Sequence, residues 1–174
     1  MIFWGNLLIG FVNSGERWAV NEITVPAMTP GETAMPPAEV RGRCLCGQVS
    51  YAIKGHLGIF QYCHCSRCRK VTGSAFAANL LVAPDDFRWL GGEEFVNRYA
   101  LPEAKHFATA FCRHCGSALP WLAQSGKAVV VPAGSLEADP AIRPVQNVFW
   151  SSRAAWYVEP NTLPAYEELP PKRR

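Results

Sequence analysis

Seven cysteines stand in three tight groups along this 174-residue chain: Cys44-x-Cys46, Cys63-x-Cys65-x-x-Cys68 and Cys112-x-x-Cys115. An odd number cannot pair completely as disulfides, and cysteines this close in sequence bridge one another poorly. Thiolates at such spacing instead share a soft metal ion. Zinc is the leading candidate, and a reducing cytoplasm is the expected compartment. The competing reading, a set of buried free thiols, gives no reason for ligand spacing to recur in three places.

On extended backbone, side chains at i and i+2 point to the same side, so a C-x-C pair can offer two sulfurs to one ion. Applied to Cys44/Cys46 and Cys63/Cys65, this turns Leu45 and His64 away from the metal. His64 is then expected as a packed or hydrogen-bonded residue, not a ligand. Cys112-x-x-Cys115-Gly116 is of the knuckle type, in which glycine permits a turn that wraps amides around sulfur. A closed structural zinc site takes four protein ligands; a catalytic one takes three and keeps a position open. The spacing favours Cys44, Cys46, Cys112 and Cys115 as the structural set, leaving Cys63, Cys65 and Cys68 as a catalytic set. The alternative partitions add one member of a pair to the triplet and split that pair. Arg67, Arg69 and Lys70 flank the triplet, where they would stabilise thiolate and hold substrate carboxylates, or else form a solvated face. Ser74 and Thr72 are candidate hydrogen-bond donors to a substrate, with local turn bonding as the competing role.

The elements that must position these sulfurs are short. Gly and Pro number 14 each, more punctuation than a helical bundle tolerates, which favours strands joined by turns. Hydrophobic residues at 49% and charged residues at 18% allow a real core and exclude global disorder. Runs at 48–54, 60–65, 76–82, 95–101, 106–111, 127–132 and 145–150 read as strands bounded by Gly, Pro or Asp turns. Asp85-Asp86 and Asp139-Pro140 are expected to start short helical turns, and no long 3.6-residue periodicity is present. Residues 1–40 carry no cysteine and several prolines, and read as an extension or linker, with Met28 and Met35 as alternative starts. Residues 41–158 form the zinc-binding domain and 159–174 a C-terminal tail. The apolar opening of the chain is too short and lacks the basic flank for a membrane anchor or signal peptide. A net charge of +3 argues against a nucleic-acid partner. Four scattered histidines (His56, His64, His106 and His114) make no His-rich centre, and no P-loop, G-x-S-x-G or G-x-G-x-x-G motif occurs.

Three segments together carry a resemblance. Gly42-x-Cys44-x-Cys46-Gly47-x-Val49-x-Tyr51 is followed by Cys63-His64-Cys65-x-x-Cys68-Arg69-Lys70-x-Thr72-Gly73-Ser74-Ala75-Phe76, then by Phe111-Cys112-x-x-Cys115-Gly116-Ser117-x-Leu119. The chain resembles the glutathione-dependent formaldehyde-activating enzymes, also called the centromere protein V/Gfa domain family. Gly134-Ser135-Leu136-x-x-Asp139-Pro140, Trp156 and Leu163-Pro164 fit as well. The resemblance implies an all-β fold of several coiled, mostly antiparallel sheets built around two zinc sites, with few short helical turns. It implies the same zinc partition and a glutathione site near the second zinc. It implies a carbon–sulfur lyase activity that joins glutathione and formaldehyde as S-(hydroxymethyl)glutathione. Asn147 stands where similar sequences often carry His, and Asn161 where an acidic residue often precedes Leu-Pro. A second class of function follows from the centromere-associated branch: a non-enzymatic zinc module or glutathione carrier binding a protein, thiol or nucleic-acid partner.

Overall fold

The computed structural model describes residues 39–171. Apart from Glu39 and Val40, the expected extension 1–40 lies outside the described residues, as do the last residues of the expected tail. The order is β1 (Glu39–Arg43), β2 (Ser50–Lys54), β3 (Ile59–Cys63), α1 (Ser66–Thr72), β4 (Ala77–Val82), β5 (Phe87–Gly91) and β6 (Val96–Ala100). Then follow β7 (Ala108–Cys112), β8 (Ala118–Leu119), β9 (Trp121–Leu122), β10 (Val129–Pro132) and β11 (Gln146–Val148). Three sheets result: β1-β2-β5, β11-β3-β4-β10-β9 and β6-β7-β8. Every pairing is antiparallel except that of β11 with β3. This is the mainly antiparallel β architecture expected.

Period-two alternation builds the main core. Tyr51 and Ile53 of β2, Leu80 and Val82 of β4, and Val129 and Val131 of β10 each lie two apart and bury one face together, with Val40 and Leu57. Side chains such as Ile53 and Leu80 are almost wholly removed from water, each stabilising the fold by roughly 1.5–3 kcal/mol. A second cluster gathers Cys44, Val49, Ala110, Cys112 and Leu119, with Trp89, Phe95 and Trp121 against it. A third is small: Cys63, Cys68 and Ala77, covered by Phe107 and Val148. Each cysteine group therefore has its own apolar bed.

The seven apolar runs overlap β2, β3, β4, β6, β7, β10 and β11, with β3 starting one residue before its run and β7 ending one residue after, while β1, β5, β8 and β9 lie outside them. The expected turn at Asp85-Asp86 is present as a 3-10 turn, Pro84–Asp86. The one expected at Asp139-Pro140 is absent. Instead the Asp139 carboxylate accepts from Ala141 N at 2.8 Å and from Arg143 at 2.7 and 2.8 Å. Side-chain capping of an extended loop competes here with helix formation. α1 was not signalled by periodicity because only one of its residues, Cys68, is buried. Seven residues are too few for a helix to persist alone, so α1 depends on that anchored position and on its caps. Among the described residues, no helix is long and apolar enough to cross a membrane.

Candidate metal centres and the cavity between them

Cys44 and Cys46 follow β1, and Cys112 ends β7. The extended backbone expected at Cys44-x-Cys46 is replaced by a turn. Gly47 N donates to Cys44 O at 3.0 Å, and Cys44 N donates to Val49 O at 3.0 Å. Gly47 closes this turn at φ 76°, a left-handed conformation that a side chain resists. The second turn repeats the device: Gly116, at φ 72°, donates to Cys112 O at 2.8 Å, and Cys112 N donates to Ser117 O at 3.0 Å. Leu45 points outward, 88% exposed.

The two turns meet. Leu45 N donates to Ser117 Oγ at 3.0 Å, and the Ser117 hydroxyl lies 3.2 Å from Cys115 Sγ. Cys44 Sγ is 3.5 Å from Cys46 Sγ, and Cys46 Sγ is 3.8 Å from Cys112 Sγ. All four sulfurs of Cys44, Cys46, Cys112 and Cys115 fall within 4.8 Å of one another. Val49 N donates to Cys44 Sγ at 3.3 Å, a bond that favours thiolate.

The second group is local. Cys63 is the last residue of β3, Cys65 caps α1, and Cys68 is buried in the first turns of α1. Cys65 Sγ accepts from Cys68 N at 3.4 Å. The three sulfurs again lie within 4.8 Å of one another. His64 points away from them, as expected. It is fully buried, with Nε2 donating to Asn147 Oδ1 at 2.9 Å, and Phe76, Trp150 and Tyr157 surround the ring.

The electrostatics of both groups fit a cation. The Ser117 hydroxyl, then backbone N–H groups of Ser117 and Cys46, hold the Cys115 thiol down to about 5. Cys46 rises to about 12: the N–H of Gln48 favours its thiolate, but burial and the neighbouring sulfurs outweigh it. In the second group a hydrogen bond from Cys68 brings Cys63 down to about 6 against its burial, and Cys63 in turn drives Cys68 far up. Burial pushes the Cys44 thiol up, but the Val49 N–H and hydrogen bonds from the neighbouring thiols outweigh it and hold it below its ordinary value. The four-sulfur cluster thus favours thiolate at Cys44 and Cys115 and the three-sulfur cluster at Cys63, and further thiolates form only against mutual repulsion unless a positive ion sits among them. Both donor sets are all sulfur, with no His, Asp or Glu, the chemistry that suits zinc and other soft ions. The two clusters could each hold a metal ion.

Between the groups lies a cavity of about 730 Å³ whose wall includes both Cys44 and Cys68. Val71, Ala77, Phe107 and Leu119 make it largely apolar; Arg43, Asn79, Ser117 and Glu137 are among its polar lining residues. Arg67, Lys70 and Ser74 are exposed and Arg69 is half-buried, and none of the four lines this cavity. Thr72 does line it, but its hydroxyl donates to Cys68 O at 2.9 Å, the local bonding weighed from sequence. Arg43, Asn79 and Glu137 were not singled out by sequence reading. The available signals were weak: a cation next to Cys44, one amide inside the apolar run of β4, and nothing for Glu137.

Three comparisons bear on this arrangement. The sequence profile described as "Glutathione-dependent formaldehyde-activating enzyme" matches residues 39–152. A crystal structure of a Rhodobacter sphaeroides protein, a structural-genomics target, is 25% identical with a TM-score of 0.48, covering 62% of this chain and 98% of that one. No curated protein matches the chain. With the profile spanning well over half of its residues and every one of its cysteines, the chain belongs to the glutathione-dependent formaldehyde-activating enzyme family.

Proposed function

We propose that this protein is a zinc-dependent enzyme of the carbon–sulfur lyase type, joining glutathione or a similar thiol to formaldehyde or a related aldehyde. Cys44, Cys46, Cys112 and Cys115 hold a structural zinc that fastens two distant turns. Cys63, Cys65 and Cys68 hold the catalytic one. A zinc ion held by these three thiolates would supply Lewis acidity that favours thiolate over thiol near neutral pH. The observation that carries the reading is the position of Cys68: one of three convergent sulfurs, on the wall of a cavity large enough for a tripeptide-sized ligand.

The chain's own residues then supply position and dryness. Cys68 directs the reacting end of the thiol, and Val71, Ala77 and Phe107 exclude water around it. The thiolate sulfur attacks the carbonyl carbon. A C–S bond forms, the C=O π pair moves to oxygen, and that oxygen takes a proton from water. The reverse step breaks the same C–S bond and returns aldehyde and thiolate. Because small aldehydes add to thiols unaided, proximity is the main gain the site offers. Seven thiols at ligand spacing suit a reducing compartment, and we assign the protein to the cytoplasm on that ground.

Exchange NMR on the zinc-loaded chain with glutathione and formaldehyde tests the reading. Adduct formation and breakdown should accelerate in proportion to protein, and Cys65→Ser should abolish the acceleration. Binding of glutathione with no acceleration would make the protein a thiol carrier. Absence of both would remove the thiol-based reading.

A further inference from the structure

Among its lining residues the cavity has one cation and one anion, Arg43 and Glu137. They face each other, Arg43 Nε to Glu137 Oε1 at 2.7 Å, with side chains 60% and 41% exposed. Two separate segments hold them. Arg43 ends β1, and Glu137 N donates to Arg41 O at 3.0 Å, which fastens its loop alongside the same strand. Further in lies Asn79 on β4, only 9% exposed and part of the same wall. Among the described residues its side-chain amide makes no hydrogen bond, and its polar atoms are not among the wholly buried ones left without a partner, so the amide stays open to the cavity and free to pair with a ligand.

We infer that Arg43, Glu137 and Asn79 select the substrate, a thiol that carries a peptide amide and, beyond it, an amino-acid zwitterion. The inference rests on the thiol-binding reading above and names the groups that set its specificity. A substrate carboxylate pairs with Arg43 while the neighbouring ammonium pairs with Glu137, so every charge meets its opposite. The resting pair is neutral overall. A ligand with only a carboxylate or only an ammonium must break the pair and leave one member unmatched; a zwitterion leaves none. The amide of Asn79 both donates and accepts, the complement of a peptide bond. Arg67, Arg69 and Lys70, outside the cavity lining, offer three cations without an anion and would favour a different ligand, one rich in negative charge.

Calorimetric titration of the zinc-loaded full chain with two thiols tests this. Glutathione carries the zwitterion; N-acetylcysteamine carries an amide and no charge. Wild type should bind glutathione roughly tenfold more tightly. Arg43→Gln and Glu137→Gln should each reduce that ratio to about threefold or less, with melting temperatures near wild type because both side chains are largely exposed. Asn79→Ala should weaken both thiols by similar factors, since both carry the amide. An unchanged ratio in both charge variants would overturn the inference. So would equal wild-type affinity for the two thiols, which would leave the thiol-binding reading standing. If neither thiol binds wild type, both readings fall together.

Discussion

The two sulfur groups differ most in how far apart their members are in the chain. The four-sulfur group joins turns 66 residues apart, Cys46 with Cys112, and draws on β1, β2, β7 and β8. The three-sulfur group lies within one short stretch, from the end of β3 to α1. An ion that clips distant turns removes the freedom of a long intervening loop and so contributes to the whole fold; one held by neighbours contributes mostly to its own segment. The hydrogen bonding agrees. The four sulfurs are tied by Ser117, which reaches both knuckles, whereas the three are ordered by the cap of a seven-residue helix.

The sharpest way to break this contrast is to remove one sulfur from each group. Cys115→Ser should cost the domain most of its stability, because structural zinc in small domains contributes on the order of 10 kcal/mol, as much as a whole domain's margin. Cys65→Ser should leave a cooperative melt within a few degrees of wild type while thiol binding disappears. Thermal melts with zinc analysis check both. Equal loss of fold, or equal retention, would erase the distinction.

A chelator should separate the groups in time. On the proposed reading the three-sulfur group would keep one coordination position for an outside ligand, so a zinc held there should be released first, at least roughly tenfold faster than one held by the four sulfurs. Simultaneous release, followed by a colorimetric chelator in stopped flow, would argue that the sites behave as one unit.

The sulfurs were legible in the sequence because ligand chemistry is written in spacing. The strands holding them were legible where alternation was strong, as in β2, β4 and β10, and illegible in β8 and β9, two residues each. The backbone around Cys44-x-Cys46 was misread because spacing alone cannot distinguish a strand that aligns i and i+2 from a turn that gathers them. α1 was hidden because a helix with one buried face position leaves no periodic signal. The cavity was hidden for a different reason. Its wall is assembled from β1, α1, β4, β7, β8 and the segment after β10, so no local pattern marks it. Charges placed beside the triplet in sequence, Arg67 and Lys70, face solvent, and the pair that does line the cavity comes from elsewhere.

Alkaline unfolding sharpens the comparison from the side of the frame that carries the four-sulfur knuckles. Tyr51 of β2 is buried, and its hydroxyl donates to Ser135 Oγ at 2.6 Å, which donates to Pro132 O at 2.7 Å. Burial, with a smaller contribution from Glu137, pushes the phenol up to about 12 against the pull of Ser135. The folded pKa lies above the unfolded value, so this stabilisation is complete below about pH 10 and is lost as pH rises toward 12. The loss amounts to about 3 kcal/mol. Denaturant titrations of wild type between pH 9 and 12 should show it, and Tyr51→Phe should flatten that slope. A slope unchanged by Tyr51→Phe would assign the alkaline limb to other groups.

The smallest expected effect is confined to the three-sulfur region. His64 sits between Cys63 and Cys65 and is wholly buried. Its Nδ1 already has no partner among the described residues, so the bond from Nε2 to Asn147 Oδ1 is the ring's remaining polar anchor. Asn147 belongs to β11, the edge strand paired in parallel with β3, and Val148 O of that strand accepts from His64 N at 3.0 Å. Asn147→Ala would therefore leave both ring nitrogens buried without partners, at a cost of about 1–3 kcal/mol. Because the backbone bond survives, the segment should loosen without detaching. The loosening should appear as faster zinc release from Cys63, Cys65 and Cys68, with release from the four-sulfur group at its wild-type rate. Asn147→Asp keeps an acceptor oxygen in place and should recover at least half of the loss. Two-phase chelation kinetics on the three proteins read this directly. Acceleration of both phases together would mean that β11 supports the whole domain, and the independence of the two groups would be lost.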